Sequence, residues 1–493
     1  MSSKVTIQRL KTGVPGLDDL LGGGLPEFSF NLIAGTPGSG KTTLAHQIMF
    51  SLASANMRAL FFTVLGEPAL KMLRYQQQFP FFDLTKVNQS IRYVNLTAEL
   101  MTGDFDGVLS RIGEEVKNYA PSLVFVDSFR SVVQSATPEG PGLAGLQHFV
   151  QQLSMQMTSW QATTFLIGEY STPTESSAIF TVADGILWLS QSLHRNSMVR
   201  KMQVIKMRGQ SQATGLHTFR IDGEGIQIYP RAIIKQGTAT ESSITVPSGD
   251  ERVPMGVPGL DAMLGGGLPS GYSVLVVGPS GSGKTILATQ FLTEGARRGE
   301  LGVIAAFEKS PSQLLSNQLY PLVKAKQVGV IDTRSLDLSI DQILHDMIKM
   351  INEMKAKRVV IDSLSGFDLA LAPEFSEDFR GSLYRMIAEL TSMGVTILMT
   401  SELEDRYTDL RFSPFGSAFL ADAIIVQRYI ELEGQFKRAL SVVKVRGSEH
   451  DKDIRLFDIT DDGIVLGATL SQYSGIMSGH PIVEHDQSKS TPP

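Results

Sequence analysis

The chain has 493 residues, 42% of them apolar and 19% charged, with a net charge of −6 and a pI near 5.8. That length favours two hydrophobic cores over one, and the mildly acidic balance speaks against a broad nucleic-acid surface. Cysteine is absent, which excludes disulfides, zinc–thiolate sites and thiol nucleophiles. Met1 to Lys11 is polar, and no stretch offers the roughly 18 apolar residues of a membrane span. No membrane association and a cytoplasmic location are therefore expected.

Taken in chain order, Gly13-Val-Pro-Gly-Leu-Asp18 and Leu21-Gly-Gly-Gly-Leu-Pro26 open the sequence. Ser29 to Ile33 then reads as a buried strand and Thr42 to Ala55 as a helix. Further apolar runs at Leu60–Val64, Leu123–Val126, Thr164–Ile167 and Gly185–Leu189 predict more strands. The opening motifs return as Gly256-Val-Pro-Gly-Leu-Asp261 and Leu264-Gly-Gly-Gly-Leu-Pro269, at one offset of 243 residues. A period that long marks a duplicated domain, not a small-unit solenoid. In the second copy the predicted strands are Ser273–Val277, Val303–Phe307, Val359–Ile361, Val395–Met399 and Ala423–Val426. Buried strands alternating with helices predict an α/β fold in each copy, a mainly parallel sheet flanked by helices. The expected organisation is a first domain over 1–236, a Ser/Thr/Gly-rich linker over 237–251, a second domain over 252–470 and a tail over 471–493.

Two segments fit G-x-x-x-x-G-K-[ST] between a strand and a helix, the context that makes this a phosphate loop. The first comprises Gly35, Thr36, Pro37, Gly38, Ser39, Gly40, Lys41 and Thr42, followed by Thr43. The second comprises Gly278, Pro279, Ser280, Gly281, Ser282, Gly283, Lys284 and Thr285. Glycines let backbone N–H groups converge on phosphate oxygens, and the helix N-terminus adds positive potential. Lys41 and Lys284 are expected on the terminal phosphates of ATP, with Thr42 and Thr285 on Mg²⁺. The strands ending at Asp127 and Asp362 supply the carboxylates expected near that metal. Glu67 and Glu308 each follow the strand after the phosphate-loop helix; they are the candidate general bases for a water attacking phosphorus. The histidines, His46, His148 and His217 among them, form no metal-spaced cluster.

These motifs, together with the repeated Lys-x-Arg-Gly segments at 206–209 and 444–447, resemble the KaiC family of RecA-like ATPases over nearly the whole chain. The resemblance implies two tandem RecA-like P-loop domains in a homohexameric ring, with ATP between neighbouring subunits. It also implies that Lys206, Arg208, Lys444 and Arg446 reach the nucleotide of the adjacent subunit, in the manner of an arginine finger. A regulatory or signalling role, with a regulatory protein partner, follows from the same resemblance.

Two departures qualify it. The family carries two adjacent glutamates where this chain has Leu65 and Gly66 in the first copy and Glu308 and Lys309 in the second. The family's phosphorylated Ser-Thr pair falls on Ala418 and Phe419, which puts Ser/Thr autokinase activity there in doubt. Two other classes stay open at this level. One is a DNA-dependent ATPase of the RecA/RadA type. The other is a nucleotide-gated scaffold with little hydrolysis.

Overall fold

In a computed structural model, residues 7–63, 69–101, 105–128, 142–172, 178–194, 197–231, 251–307, 319–331, 333, 339–371, 375, 379–403, 420–476 and 482–483 are described. The chain separates into two units, Met1–Arg231 and Ala232–Pro493.

In the first unit the strands are β1 (Arg9–Leu10), β2 (Leu25–Pro26), β3 (Phe30–Gly35), β4 (Ala59–Thr63), β5 (Ile91–Asn95) and β6 (Leu123–Asp127). They are followed by β7 (Thr163–Glu169), β8 (Gly185–His194), β9 (Ser197–Met207), β10 (His217–Asp222) and β11 (Gly225–Tyr229). Nine of them form one sheet in the order β11-β10-β9-β8-β3-β7-β6-β4-β5. From β8 to β5 every pairing is parallel, and β9, β10 and β11 add an antiparallel flank. Strand β3 shows why the sheet is covered on both sides. Phe30, Leu32 and Ala34 enter one core cluster while Ile33 enters the other, because successive side chains alternate between faces. In β6, Val124 and Val126 face one way and Leu123 and Phe125 the other. Each such fully buried side chain contributes about 1.5–3 kcal/mol. A parallel sheet needs that double cover.

The second unit repeats the plan. Its strands are β12 (Arg252–Val253), β13 (Leu268–Pro269), β14 (Ser273–Gly278), β15 (Gly302–Ala306), β16 (Val328–Ile331) and β17 (Arg358–Asp362). Then come β18 (Thr396–Glu402), β19 (Ala423–Leu432), β20 (Gln435–Val445), β21 (Arg455–Thr460) and β22 (Gly463–Thr469). The sheet order is β16-β15-β17-β18-β14-β19-β20-β21-β22, the same sequence of roles. Here Leu275 and Val277 enter one cluster and Val274 and Val276 the other. Both units are thus α/β, as the alternating pattern predicts, with the antiparallel flank added.

The repeated opening motifs brace the sheets. The Asp18 carboxylate accepts from the backbone N–H and hydroxyl of Thr12, both at 2.9 Å. Asp261 accepts from the N–H groups of Met255 at 2.6 Å and Gly256 at 3.2 Å. In both units the first strand pairs antiparallel with the Leu-Pro strand that closes the triple-glycine turn.

Candidate nucleotide site

Strand β3 ends at Gly35, and helix α1 (Lys41–Leu52) begins six residues later; in the second unit β14 ends at Gly278 and helix α2 (Lys284–Arg297) begins at the matching place. The two loops have nearly the same backbone. Gly38 and Gly281 have φ of 72° and 75°, and Gly40 and Gly283, which cap the helices, have φ of 98° and 104°. Glycine takes this left-handed region without steric cost. Space is tight as well: a Cβ on Gly40 would lie 2.6 Å from Ile221 Cδ1, and one on Gly283 3.0 Å from Ile459 Cδ1, so those side-chain ends would have to give way. These isoleucines belong to β10 and β21, so the antiparallel flank packs on the helix start in both units.

Lys41 Nζ donates to the Thr36 carbonyl at 2.8 Å. Lys284 Nζ donates to the carbonyls of Gly278 and Pro279, each at 2.8 Å. Burial lowers the Lys41 pKa, opposed by the carboxylates of Glu169 and Asp127. The Thr42 hydroxyl donates to Asp127 Oδ2 at 2.6 Å, although 85 residues separate them in sequence. Around them lies an open cleft of about 710 Å³, lined by Pro37, Gly38, Thr43, Asp127, Gly168 and Glu169 among others. Thr36 Oγ1 and Ser39 Oγ, in the same loop, are buried without a hydrogen-bond partner. In the second loop the Ser282 hydroxyl donates to Gln427 Oε1 at 3.2 Å.

The second carboxylate is held differently. Asp362 Oδ1 accepts from the Thr400 hydroxyl in β18. Val276 stands opposite Thr400, and its counterpart Ile33 stands opposite Ile167. The first unit therefore has an isoleucine where the second has a hydroxyl. The peptide after each aspartate, Asp127–Ser128 and Asp362–Ser363, is cis.

Strand β7 lies between the loop strand β3 and the aspartate strand β6, and β18 lies likewise between β14 and β17. Each ends in a glutamate in register with the first glycine of the loop: Glu169 opposite Gly35 and Glu402 opposite Gly278. Glu169 Oε1 is 3.9 Å from Lys41 Nζ. The strands expected from the sequence end short of these two glutamates, at Ile167 and Met399. The signal was there: an acidic residue closing an apolar strand beside a phosphate loop. The candidate bases Glu67 and Glu308 lie outside the described residues, as do Leu65, Gly66, Lys309 and the segment 417–419.

The Lys-x-Arg-Gly residues sit elsewhere. Arg208 Nη1 pairs with Asp184 Oδ1 at 3.0 Å, and Asp184 Oδ2 accepts from the N–H of Phe30 at 3.0 Å. Phe30 begins β3 and Gly35 ends it, five steps or about 17 Å away. Arg446 Nη1 pairs with Asp422 Oδ1 at 3.2 Å, and Asp422 Oδ2 accepts from the N–H of Ser273, the start of β14, at 3.1 Å. Lys206 donates to the carbonyls of Phe180 and Thr181, and Lys444 to that of Ala421. Burial lowers the pKa of both lysines, and the neighbouring arginine lowers it further. All four cations thus stand at the end of the sheet remote from their own unit's phosphate loop.

A phosphate loop at the C-terminal edge of a mainly parallel sheet, one strand removed from an aspartate strand, defines a RecA-like P-loop ATPase domain, here present twice. A family model described as the KaiC ATPase matches residues 10–233 and 253–471. The chain belongs to the KaiC family of ATPases. It is 28% identical over 491 residues to the circadian clock oscillator protein KaiC of Picosynechococcus sp., covering 96% of this chain and 92% of that protein. It is 27% identical to the circadian clock protein KaiC3 of Synechocystis sp. (97% and 95% covered) and to the circadian clock oscillator protein KaiC of Prochlorococcus marinus (97% of both). No helix among the described residues is long and apolar enough to cross a membrane.

Proposed function

We propose that each unit binds one Mg-ATP and that the protein hydrolyses it at subunit interfaces of a homo-oligomeric ring, most simply a hexamer. The observation that carries this reading is the separation of Arg208 and Arg446 from their own loops. A cation bonded through Asp184 to the start of β3 is about 17 Å from the loop at its other end, so it does not serve its own unit's nucleotide, and a neighbouring molecule in the ring offers it one. The loop backbone and Lys41 or Lys284 bind the phosphates. Thr42 with Asp127, and Thr285 with Asp362, hold Mg²⁺, which neutralises phosphate charge when bound. Glu67 and Glu308 are the sequence's candidates for orienting water, and Glu169 and Glu402 join them by position. Relatives that carry clock names support a regulatory role, and a regulatory protein partner belongs to the same proposal.

Phosphate release and light scattering on the purified chain test the reading. ATP with Mg²⁺ should yield a particle several times 53.7 kDa that releases phosphate. A monomer at micromolar concentration and saturating ATP overturns the ring; a ring without turnover leaves a nucleotide-gated scaffold. Stimulation by single-stranded DNA would instead favour the DNA-dependent class.

A further inference from the structure

We infer that Asp184 and Asp422 are positioning residues that aim Arg208 and Arg446 at the neighbouring subunit's nucleotide. The inference rests on the trans-acting role of those arginines given above.

Each aspartate is held at four points. The N–H of Asp184 donates to the Phe30 carbonyl at 2.7 Å, and its carbonyl accepts from the N–H of Arg208 at 2.9 Å. One carboxylate oxygen takes the Phe30 N–H at 3.0 Å, and the other takes Arg208 Nη1 at 3.0 Å. Asp422 repeats every element: its N–H to the Ser273 carbonyl at 2.8 Å, its carbonyl to the Arg446 N–H at 2.8 Å, and its two oxygens to the Ser273 N–H and Arg446 Nη1. The Ser273 hydroxyl adds a further bond to Asp422 Oδ2 at 3.0 Å.

An exposed ion pair adds little to stability, and the arginine side chains are 59% and 64% exposed. Stability therefore does not explain why the same atoms pair in the same way in both units. Orientation does. A carboxylate fixed to the backbone of the sheet and bonded to Nη1 limits where the guanidinium points; Arg208 Nη2 also donates to the Thr181 carbonyl, at 3.5 Å, and the remaining N–H groups of the fork are the ones that can meet phosphate oxygens. Holding the group beforehand removes the entropy otherwise lost when it engages the transition state.

The test uses the full chain. Asp184→Asn with Asp422→Asn keeps an acceptor for the Phe30 and Ser273 N–H groups but removes the charge that holds each arginine. It is compared with Arg208→Ala with Arg446→Ala, and with all four changes together. The expected result is a fall in kcat of about tenfold for the asparagine pair, a larger fall for the alanine pair, and no further loss in the fourfold variant. KM, ring mass and melting temperature stay at the parent's values in the asparagine pair. If the alanine pair keeps full turnover, the trans-arginine reading itself fails. If the alanine pair loses turnover and the asparagine pair does not, the positioning role alone is overturned. A loss that comes with a lower melting temperature or weaker nucleotide binding overturns it as well, since the aspartates would then act through the fold.

Discussion

The hydroxyl of Thr42 donates to Asp127 Oδ2 at 2.6 Å, which joins the first residue pair of helix α1 to the tip of β6. On the function proposed above, this hydroxyl and this carboxylate supply two of the oxygens around an octahedral Mg²⁺. Asp127→Ala should raise the Mg²⁺ concentration needed to retain nucleotide in the first unit by tenfold or more. Nucleotide retained per chain after desalting, measured against Mg²⁺, checks this, with Lys41→Ala as the reference for a lost site.

In the second unit the Thr400 hydroxyl holds Asp362. Thr400→Val keeps the shape and removes the donor, leaving a buried carboxylate short of a partner, a change that costs about 1–3 kcal/mol. It should weaken Mg-nucleotide binding at the second unit by roughly tenfold, an amount that follows from about 1.4 kcal/mol. Thr400→Ser should bind as the parent does. Binding of a fluorescent ATP analogue to each variant tells them apart.

The candidate bases are separable by kinetics. A base acts in the transition state, so its amide variant lowers kcat with little change in nucleotide affinity. Glu308→Gln is expected to show that pattern. Glu169→Gln, which removes the charge facing Lys41, should change nucleotide affinity more than kcat. A large kcat effect in Glu169→Gln with none in Glu308→Gln would move the base to the strand beside the loop.

His46 gives the first unit a pH response. Burial lowers its pKa from the ordinary 6.5 to about 4, opposed by its hydrogen bond with the Thr42 carbonyl. The unfolded chain then takes up a proton between these two values and the folded chain does not. Stability is full above pH 6.5 and is lost as pH falls through that window, by up to about 3 kcal/mol near pH 4. His46 packs on Phe61 with ring centroids 4.6 Å apart, so His46→Phe is a tolerable neutral replacement. Denaturant midpoints from pH 7 to 4.5 should fall more steeply in the parent than in His46→Phe.

The trans role of the cations is tested by mixing. Lys41→Ala with Lys284→Ala gives chains that bind no nucleotide, and Arg208→Ala with Arg446→Ala gives chains that cannot assist a neighbour. Neither should turn over alone, and mixed rings should recover part of the parent rate. Absence of any recovery in rings shown by mass to be mixed would place the cations in cis.

What the sequence determined by itself was whatever is local or repeated. Gly40 and Gly283 announce a left-handed cap on a helix through residue type alone, and the offset of 243 residues declares the duplication. The buried parallel strands were legible because both faces are apolar, as in the run Leu123–Asp127. The edge strand β5, which carries Arg92 and Asn95 among its residues, offers no such run, β16 is the short run Val328–Ile331, and the antiparallel flank of β9 to β11 buries mainly one face, so no continuous apolar run marks it. Tertiary structure alone decided relations between distant segments. It put Glu169 and Glu402 beside the loops by setting strands β7 and β18 next to β3 and β14. It set the Thr400 hydroxyl against Asp362, where Ile167 stands beside Asp127. It also put Arg208 at the far end of β3 from Gly35. Strand order and register fix these distances, and neither is written in the spacing of residues along one chain.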